Sequence, residues 1–131
     1  MLTFNFIYED WARKAIAPFS PELLAKAIEE ERVEFYGDDE FGAILVQDLG
    51  EGVAEWHWLI RPGVSMCEKK KEVNALVGLL RSRGFKYIVG VTPADNLPAR
   101  IMNRYFGGKR MKTRDDGTIE YLLDLTDCTS R

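Results

Sequence analysis

The chain has 131 residues, 46% of them hydrophobic and 30% charged, with 18 lysines and arginines against 21 aspartates and glutamates. A chain of this length buries roughly 65 to 70% of the surface of its unfolded form, so one domain over residues 1–131 is predicted, without a disulfide or a structural metal. The net charge of −3 is not typical of nucleic-acid or membrane-surface binders, since both usually carry a basic excess.

Cysteine and histidine are scarce in this sequence. Cys67 and Cys128 form no C-x-x-C pair and His57 is the only histidine, so no metal site that needs several imidazoles or thiolates is predicted. The N-terminus lacks the basic region of a signal peptide, and the longest apolar run, residues 42–46, is far shorter than the about 20 residues that span a bilayer. We therefore expect a cytoplasmic protein without a membrane partner.

The first third of the chain predicts a strand and two helices. Residues 3–8 alternate and are rich in aromatic and β-branched side chains, which favours a strand. A short helix follows, with acidic residues 9–10 at its start. Ser20 followed by Pro21 is an N-cap pattern that opens a second helix over residues 23–32. The predicted apolar stripe of that helix consists of Leu23, Leu24, Ala27 and Ile28.

Three strands follow, over residues 33–36, 41–47 and 52–60, joined by turns rich in glycine and acidic residues. In the last of them, the central strand, a period of two puts alternate side chains on opposite faces. One face carries Val53, Glu55, His57 and Leu59, and the other carries Ala54, Trp56, Trp58 and Ile60. This strand is therefore apolar on one side and mixed on the other.

The second half of the chain predicts a helix, a strand, a helix and a hairpin. Their ranges are 66–83 (a helix ended by Gly84), 85–91, 96–106, and 109–114 with 118–125 around an Asp-Asp-Gly turn. The order of elements is thus βααβββαβαββ. It contains one βαβ crossover, so the strands on either side of the crossover are expected to be parallel neighbours in a mixed sheet.

Two stretches of this sequence resemble a known family. Residues 83–108, RGFKYIVGVTPADNLPARIMNRYFGG, contain a strand, an N-x-x-A helix that begins at Asn96, and closing glycines. Residues 53–62, VAEWHWLIRP, form a strand that ends at a proline. Together with the order of elements, they resemble the GNAT acyltransferase superfamily, whose members commonly move an acetyl group from acetyl-coenzyme A (acetyl-CoA) to an amine.

The resemblance implies an α/β (α+β) three-layer fold, with a mixed, mostly antiparallel sheet of about six to seven strands and helices on both faces. It implies acetyl-CoA as the cofactor, with the pantetheine arm between the central strand and the next one. The backbone of Trp58, Leu59 and Ile60 would hold the thioester oxygen as an oxyanion-type donor. The other implied cofactor-binding residues are Lys69, Lys70, Thr92, Asn96 and Asn103.

The chain departs from the family pattern at two places. The family loop after the central strand usually reads Q/R-x-x-G-x-G/A, whose glycines bring backbone N–H groups to the pyrophosphate, whereas residues 65–70 here read SMCEKK. Lys69 and Lys70 are then either phosphate-binding cations or a solvated face. Many family members have a tyrosine that acts as the general acid and protonates the departing thiolate. This sequence has Asn103 at that position and Tyr105 two residues later.

Glu55 is the candidate general base, because some family members place a glutamate at this point of the central strand to take a proton from the amine. The alternative is a strand glutamate paired with a neighbouring cation. His57 shares its face and is the second catalytic candidate, with a hydrogen-bonded interior or rim histidine as the alternative. Asn96 is interpreted both as a cofactor contact and as the N-cap of its helix.

Two functions stay open at this point. The first is an N-acetyltransferase, in which an unknown amine attacks the CoA thioester and Glu55 takes the proton. The second is a non-catalytic GNAT-like structural or interaction protein, similar to small phage-encoded chains with eroded cofactor loops that act in virion assembly or DNA delivery, in the host cytoplasm or the virion. A protein partner or a homodimer is left open, since charge is acidic over residues 29–40 and basic over residues 100–114.

Overall fold

The computed structural model describes residues 5–16, 20–30 and 33–126. They form two compact units. The first unit consists of the described residues up to Gln47 together with His57–Gly78, and the second consists of Asp48–Trp56 together with the described residues from Leu79 onwards. The single domain over residues 1–131 stays a prediction. Within the described ranges, no helix has both the length and the apolar character needed to cross a membrane.

The described residues confirm the predicted order of elements from the first helix onwards. The helices are a 3-10 helix at Asn5–Tyr8, then α1 (Asp10–Ile16), α2 (Pro21–Glu29), α3 (Met66–Ser82) and α4 (Leu97–Tyr105). The strands are β1 (Glu34–Asp38), β2 (Gly42–Gly50), β3 (Val53–Ile60), β4 (Tyr87–Pro93), β5 (Lys109–Thr113) and β6 (Thr118–Asp124).

The prediction of a strand at the start of the chain is wrong for the part that the structure describes. Residues 3 and 4 lie outside the described ranges, and Asn5–Tyr8 form a 3-10 helix. Phe6 is buried there and stacks on Trp11, with 5.7 Å between ring centroids. The 3-10 helical backbone brings these two rings together, and the packing of the rings outweighs the alternating pattern that favoured a strand.

Six strands form a mixed sheet in the order β1-β2-β3-β4-β6-β5. The β3–β4 pair is parallel, whereas the β1–β2, β4–β6 and β5–β6 pairs are antiparallel. The parallel register joins Val53–Trp56 to Tyr87–Gly90. This arrangement confirms the mixed, mostly antiparallel sheet, and it confirms that the two strands joined through α3 are parallel neighbours.

The first unit has a hydrophobic cluster that includes residues of α1, β2 and β3. Its buried members are Phe6, Ala12, Ala43, Leu45 and Leu59. Leu24, Ala25 and Ile28 of α2 pack against this cluster, whereas Leu23, predicted on the apolar stripe, is 58% exposed. The prediction for Leu23 is wrong because the buried line of α2 passes through Pro21, Leu24 and Ile28, and at 100° per residue Leu23 lies on the far side.

Several predicted element ends are confirmed by their hydrogen bonds. Ser20 Oγ accepts the N–H of Leu23 at 3.2 Å and so caps α2. After α3, the N–H groups of Gly84 and Phe85 donate to the carbonyls of Arg81 and Leu80, both at 3.1 Å. This pair of bonds is a Schellman C-cap, the structure that a glycine stop predicts.

Candidate functional site

The two faces of the sheet in the second unit differ in burial. Its side chains on β3, β4 and β6 alternate, so that one face is packed and the other is partly open to water. The packed face consists of Ala54, Trp56, Ile88, Gly90, Thr92, Ile119, Tyr121 and Leu123, all of them buried. The open face, here called the Glu55 face, consists of Val53, Glu55, Tyr87, Val89, Val91, Thr118, Glu120 and Leu122, all of them half-buried.

Glu55 lies on β3, at one side of the Glu55 face. The strand registers place it opposite Val89 of β4, and Val89 opposite Leu122 of β6. Glu120 lies two residues from Leu122 on the same face of β6 and opposite Val91. The face therefore presents the carboxylates of Glu55 and Glu120 with valine and leucine side chains beside and between them.

A cluster of charges at the β5–β6 hairpin accompanies Glu120. Arg114 Nε donates to Glu120 Oε2 at 3.1 Å, and Lys112 Nζ lies 3.5 Å from the same oxygen. The hydrogen bond from Arg114 holds the pKa of Glu120 below its ordinary value, assisted by the charges of Arg114 and Lys112 and opposed by desolvation. Sequence inspection did not single out Arg114 or Glu120, because only the hairpin register brings them together.

The lowered pKa of Glu120 makes stability depend on pH. Ionised Glu120 stabilises the fold above its unfolded-state pKa of about 4.3, and this contribution is lost as the pH falls through the lower folded-state pKa. Between about pH 6 and pH 3 we expect the free energy of unfolding to fall less in Glu120→Gln than in the wild type, by at most about 1 kcal/mol. Urea denaturation at a series of pH values measures this. The control is Glu72→Gln, at an exposed glutamate. If the free energy of unfolding of Glu120→Gln changed with pH in parallel with that of the wild type, the prediction would be contradicted.

The packed face holds two of the predicted cofactor-binding residues, Thr92 and Asn103. Asn103 Nδ2 donates to Thr92 Oγ1 at 3.0 Å and to the carbonyl of Ala99 at 2.9 Å. Both side chains are buried. The bond to Thr92 joins α4 to β4, whereas the bond to Ala99 lies within α4. Tyr105, which follows on α4, is 46% exposed.

Gly90 lies on the packed face where two polar side chains approach its backbone. A Cβ at this position would lie 2.7 Å from Asn103 Oδ1 and 2.9 Å from Trp56 Nε1. Real Cβ atoms essentially never approach other atoms so closely, so a side chain at position 90 would force Asn103 or Trp56 to shift. The hydrogen-bonded Asn103 and the indole of Trp56 therefore fit over this strand only because position 90 has no side chain.

Asn96 caps α4, as the sequence predicted. Its Oδ1 accepts the N–H of Ala99 at 3.3 Å, and its carbonyl accepts the N–H of Arg100 at 3.1 Å. The side chain is exposed. The N-cap interpretation of Asn96 is thereby confirmed, and its contact with a cofactor stays a prediction.

The remaining predicted site residues belong to the first unit. His57 is exposed, Trp58 and Ile60 are half-buried, and Leu59 is fully buried in the hydrophobic cluster. Because the side chain of Leu59 packs in the core, only its backbone is available for the predicted oxyanion role.

The start of α3 carries the two lysines predicted to bind phosphate. Lys69 is half-buried and Lys70 is exposed. Ser65 Oγ accepts the N–H of Glu68 at 3.2 Å, so the chain itself satisfies one donor of the first turn. Cys67 in the same turn is an exposed free thiol, and Cys128 lies outside the described residues.

Solved structures of other proteins share this arrangement of strands and helices. A protein from Chromobacterium violaceum, described as a probable acetyltransferase of the GNAT family, superposes with a TM-score of 0.72 at 14% identity, over 92% of this chain and 74% of that one. The chain has the GNAT fold.

Two acetyltransferases of known structure also superpose on this chain. An IAA acetyltransferase from Bacillus cereus superposes with a TM-score of 0.69 at 11% identity, over 94% of this chain and 95% of that one. The PaiA N-acetyltransferase from Thermoplasma acidophilum, solved in complex with coenzyme A, gives a TM-score of 0.63 at 14% identity, over 95% of this chain and 80% of that one. No protein-family model matches the sequence, and no curated protein matches it.

Proposed function

We propose that this protein is an N-acetyltransferase that moves an acetyl group from acetyl-CoA to an amine, with Glu55 as the general base. The observation that carries the proposal is the position of Glu55, a half-buried carboxylate on β3 of a GNAT fold, on the open face of the sheet. Partial burial leaves such a carboxylate within reach of a substrate and limits its hydration. Both conditions suit a group that accepts a proton.

The proposed reaction is a direct transfer. The nitrogen of the amine attacks the carbonyl carbon of the thioester, a C–N bond forms, and the C–S bond breaks with its electron pair leaving on sulfur. The carboxylate of Glu55 takes the proton that the nitrogen loses. The thiolate of coenzyme A takes up a proton from solvent, so the products are an amide and the free thiol.

Binding of the pyrophosphate is proposed at the start of α3. The donors there suit an anion, since the first turn contains backbone N–H groups and the ammonium groups of Lys69 and Lys70. Glu68 in the same turn adds a negative charge. The predicted contact of Asn96 with the cofactor remains part of the proposal, because its exposed side chain is available to a ligand.

One observation favours the alternative of a non-catalytic GNAT-like structural or interaction protein. Ser65 Oγ accepts a hydrogen bond from the N–H of Glu68, and a pyrophosphate at this helix start would use the same donor. A helix that the chain caps itself does not need an anion. The two functions differ in whether acetyl-CoA binds.

Calorimetric titration with acetyl-CoA tests the proposal. We expect saturable binding with a micromolar Kd for the wild type and a Kd at least about tenfold higher for Asn96→Ala, which loses a hydrogen-bonding amide. Asn96→Ser is the matched control for helix stability, because serine caps a helix as asparagine does but carries no amide. A millimolar Kd for the wild type, or none, would reject the enzyme and leave the structural alternative.

A further inference from the structure

We propose that Arg114 binds a carboxylate of the acceptor, so that the substrate is an amine that also carries a carboxylate, such as an amino acid. This inference rests on the proposed function, because it assigns the amine to Glu55. It concerns described residues of the second unit only, namely the Glu55 face and the β5–β6 hairpin.

The geometry of the sheet puts Arg114 and Glu55 on the same face. The backbone N–H of Arg114 donates to the carbonyl of Thr118 at 2.7 Å, so Arg114 pairs across the hairpin with a residue of the Glu55 face. Its side chain then reaches Glu120 of that face. Arg114 follows β5, which lies three strands from β3 and Glu55, a lateral separation of about 14 Å between backbones that the two long side chains shorten.

Arg114 retains hydrogen-bonding capacity for a ligand. In the part of the chain that the structure describes, its guanidinium donates through Nε to Glu120, and Nη1 and Nη2 have no hydrogen-bond partner. The side chain is 38% exposed. Two parallel N–H groups on a planar guanidinium match the two oxygens of a carboxylate, which is a geometry that lysine cannot offer.

Charge and polarity on the Glu55 face agree with a substrate that has both charges. The pKa of Arg114 is raised by its hydrogen bond to Glu120 and, more weakly, by the negative charges of Glu120, Glu55 and Asp116, against the effect of desolvation. Glu55 is thus within electrostatic range of Arg114. Val89, Val91 and Leu122 of the same face are half-buried, so an apolar side chain of the substrate would contact them while its ammonium faces Glu55 and its carboxylate faces Arg114.

Matched pairs of acceptors that differ only in the carboxylate test this inference. The pairs are leucine with isoamylamine, phenylalanine with phenethylamine, and 4-aminobutyrate with propylamine. Each compound is assayed for release of free thiol from acetyl-CoA. For at least one pair we expect the wild type to prefer the amino acid. Arg114→Gln should then raise KM for that amino acid by about 10- to 100-fold, change kcat little, and leave KM for the amine within about twofold.

Arg110→Gln is the matched control, since Arg110 lies on the same hairpin opposite Tyr121 of the packed face. It should leave the preference unchanged, and Arg114→Lys should restore part of it. An equal rise in KM for both members of a pair, or a wild type that prefers the amine in every pair, would overturn the inference.

Direct binding of the same probes without acetyl-CoA separates this inference from the proposed function. An amino acid that binds the wild type but not Arg114→Gln supports the carboxylate site even if no acetyl group is transferred. If acetyl transfer to the amines occurs but no amino acid binds better than its amine, the carboxylate site is wrong and the acetyltransferase stands.

Discussion

Replacing Gly42 by alanine is expected to lower the free energy of unfolding by at least about 3 kcal/mol. Gly42 starts β2 with a φ of +105°, and a Cβ there would lie 2.1 Å from the carbonyl oxygen of Leu59. That oxygen belongs to the backbone of β3, so it cannot move aside as a flexible side chain would. The fully buried Leu59 side chain anchors the same residue in the hydrophobic cluster, so relief of the clash would disturb the core.

Gly50→Ala is the control that isolates the backbone conformation. Gly50 has a φ of +88°, and in the described part of the chain no atom beyond its chain neighbours lies within 4 Å of the position that a Cβ would take there. We therefore expect this substitution to cost about 1 kcal/mol, from the positive φ alone. Urea denaturation followed by circular dichroism gives both values. Similar losses in the two variants would show that β3 yields at Leu59 and that the close approach is not a constraint.

Replacing Glu55 by glutamine is expected to lower kcat for acetyl transfer by about 10²- to 10⁴-fold, the range that a general base contributes. Glutamine keeps the shape of the side chain and removes its ability to accept a proton. The affinity for acetyl-CoA should stay within about twofold, because the base acts on the amine. Steady-state kinetics over a range of pH should also show that the variant loses the acidic limb of the wild-type rate profile.

Glu51→Gln is the control for Glu55→Gln, since Glu51 is an exposed glutamate just before β3. It removes the same charge close by and should leave turnover unchanged. A Glu55→Gln variant with wild-type turnover would remove Glu55 from the role of base. A loss of acetyl-CoA binding in that variant would instead indicate that Glu55 supports the fold of the site.

The parts of the fold that could be predicted depend on signals within a few residues. Ser20 before Pro21, Asn96 before α4 and Gly84 after α3 mark the helix ends, because caps satisfy local backbone groups. The parallel pairing of β3 with β4 followed from the helical crossover between them. These features depend little on the rest of the molecule.

The incorrect predictions concern residues whose conformation depends on distant partners. Asn5–Tyr8 has a strand-like pattern, but the stacking of Phe6 on Trp11 accompanies a 3-10 helix. Leu23 belongs to an apolar stripe in the sequence, but the buried line of α2 passes along the other side. In both cases periodicity alone does not specify which neighbour covers the side chain.

The candidate site shows the same division. Local sequence signals identified Glu55 as a carboxylate on a central strand and Asn96 as a helix cap, because both properties follow from neighbouring residues. Only tertiary structure joined Arg114 to Glu120 and placed both on the face of Glu55, since the register of three strands decides which charges meet. It also decided that Asn103 donates an amide proton to Thr92, because that bond depends on how α4 packs against β4.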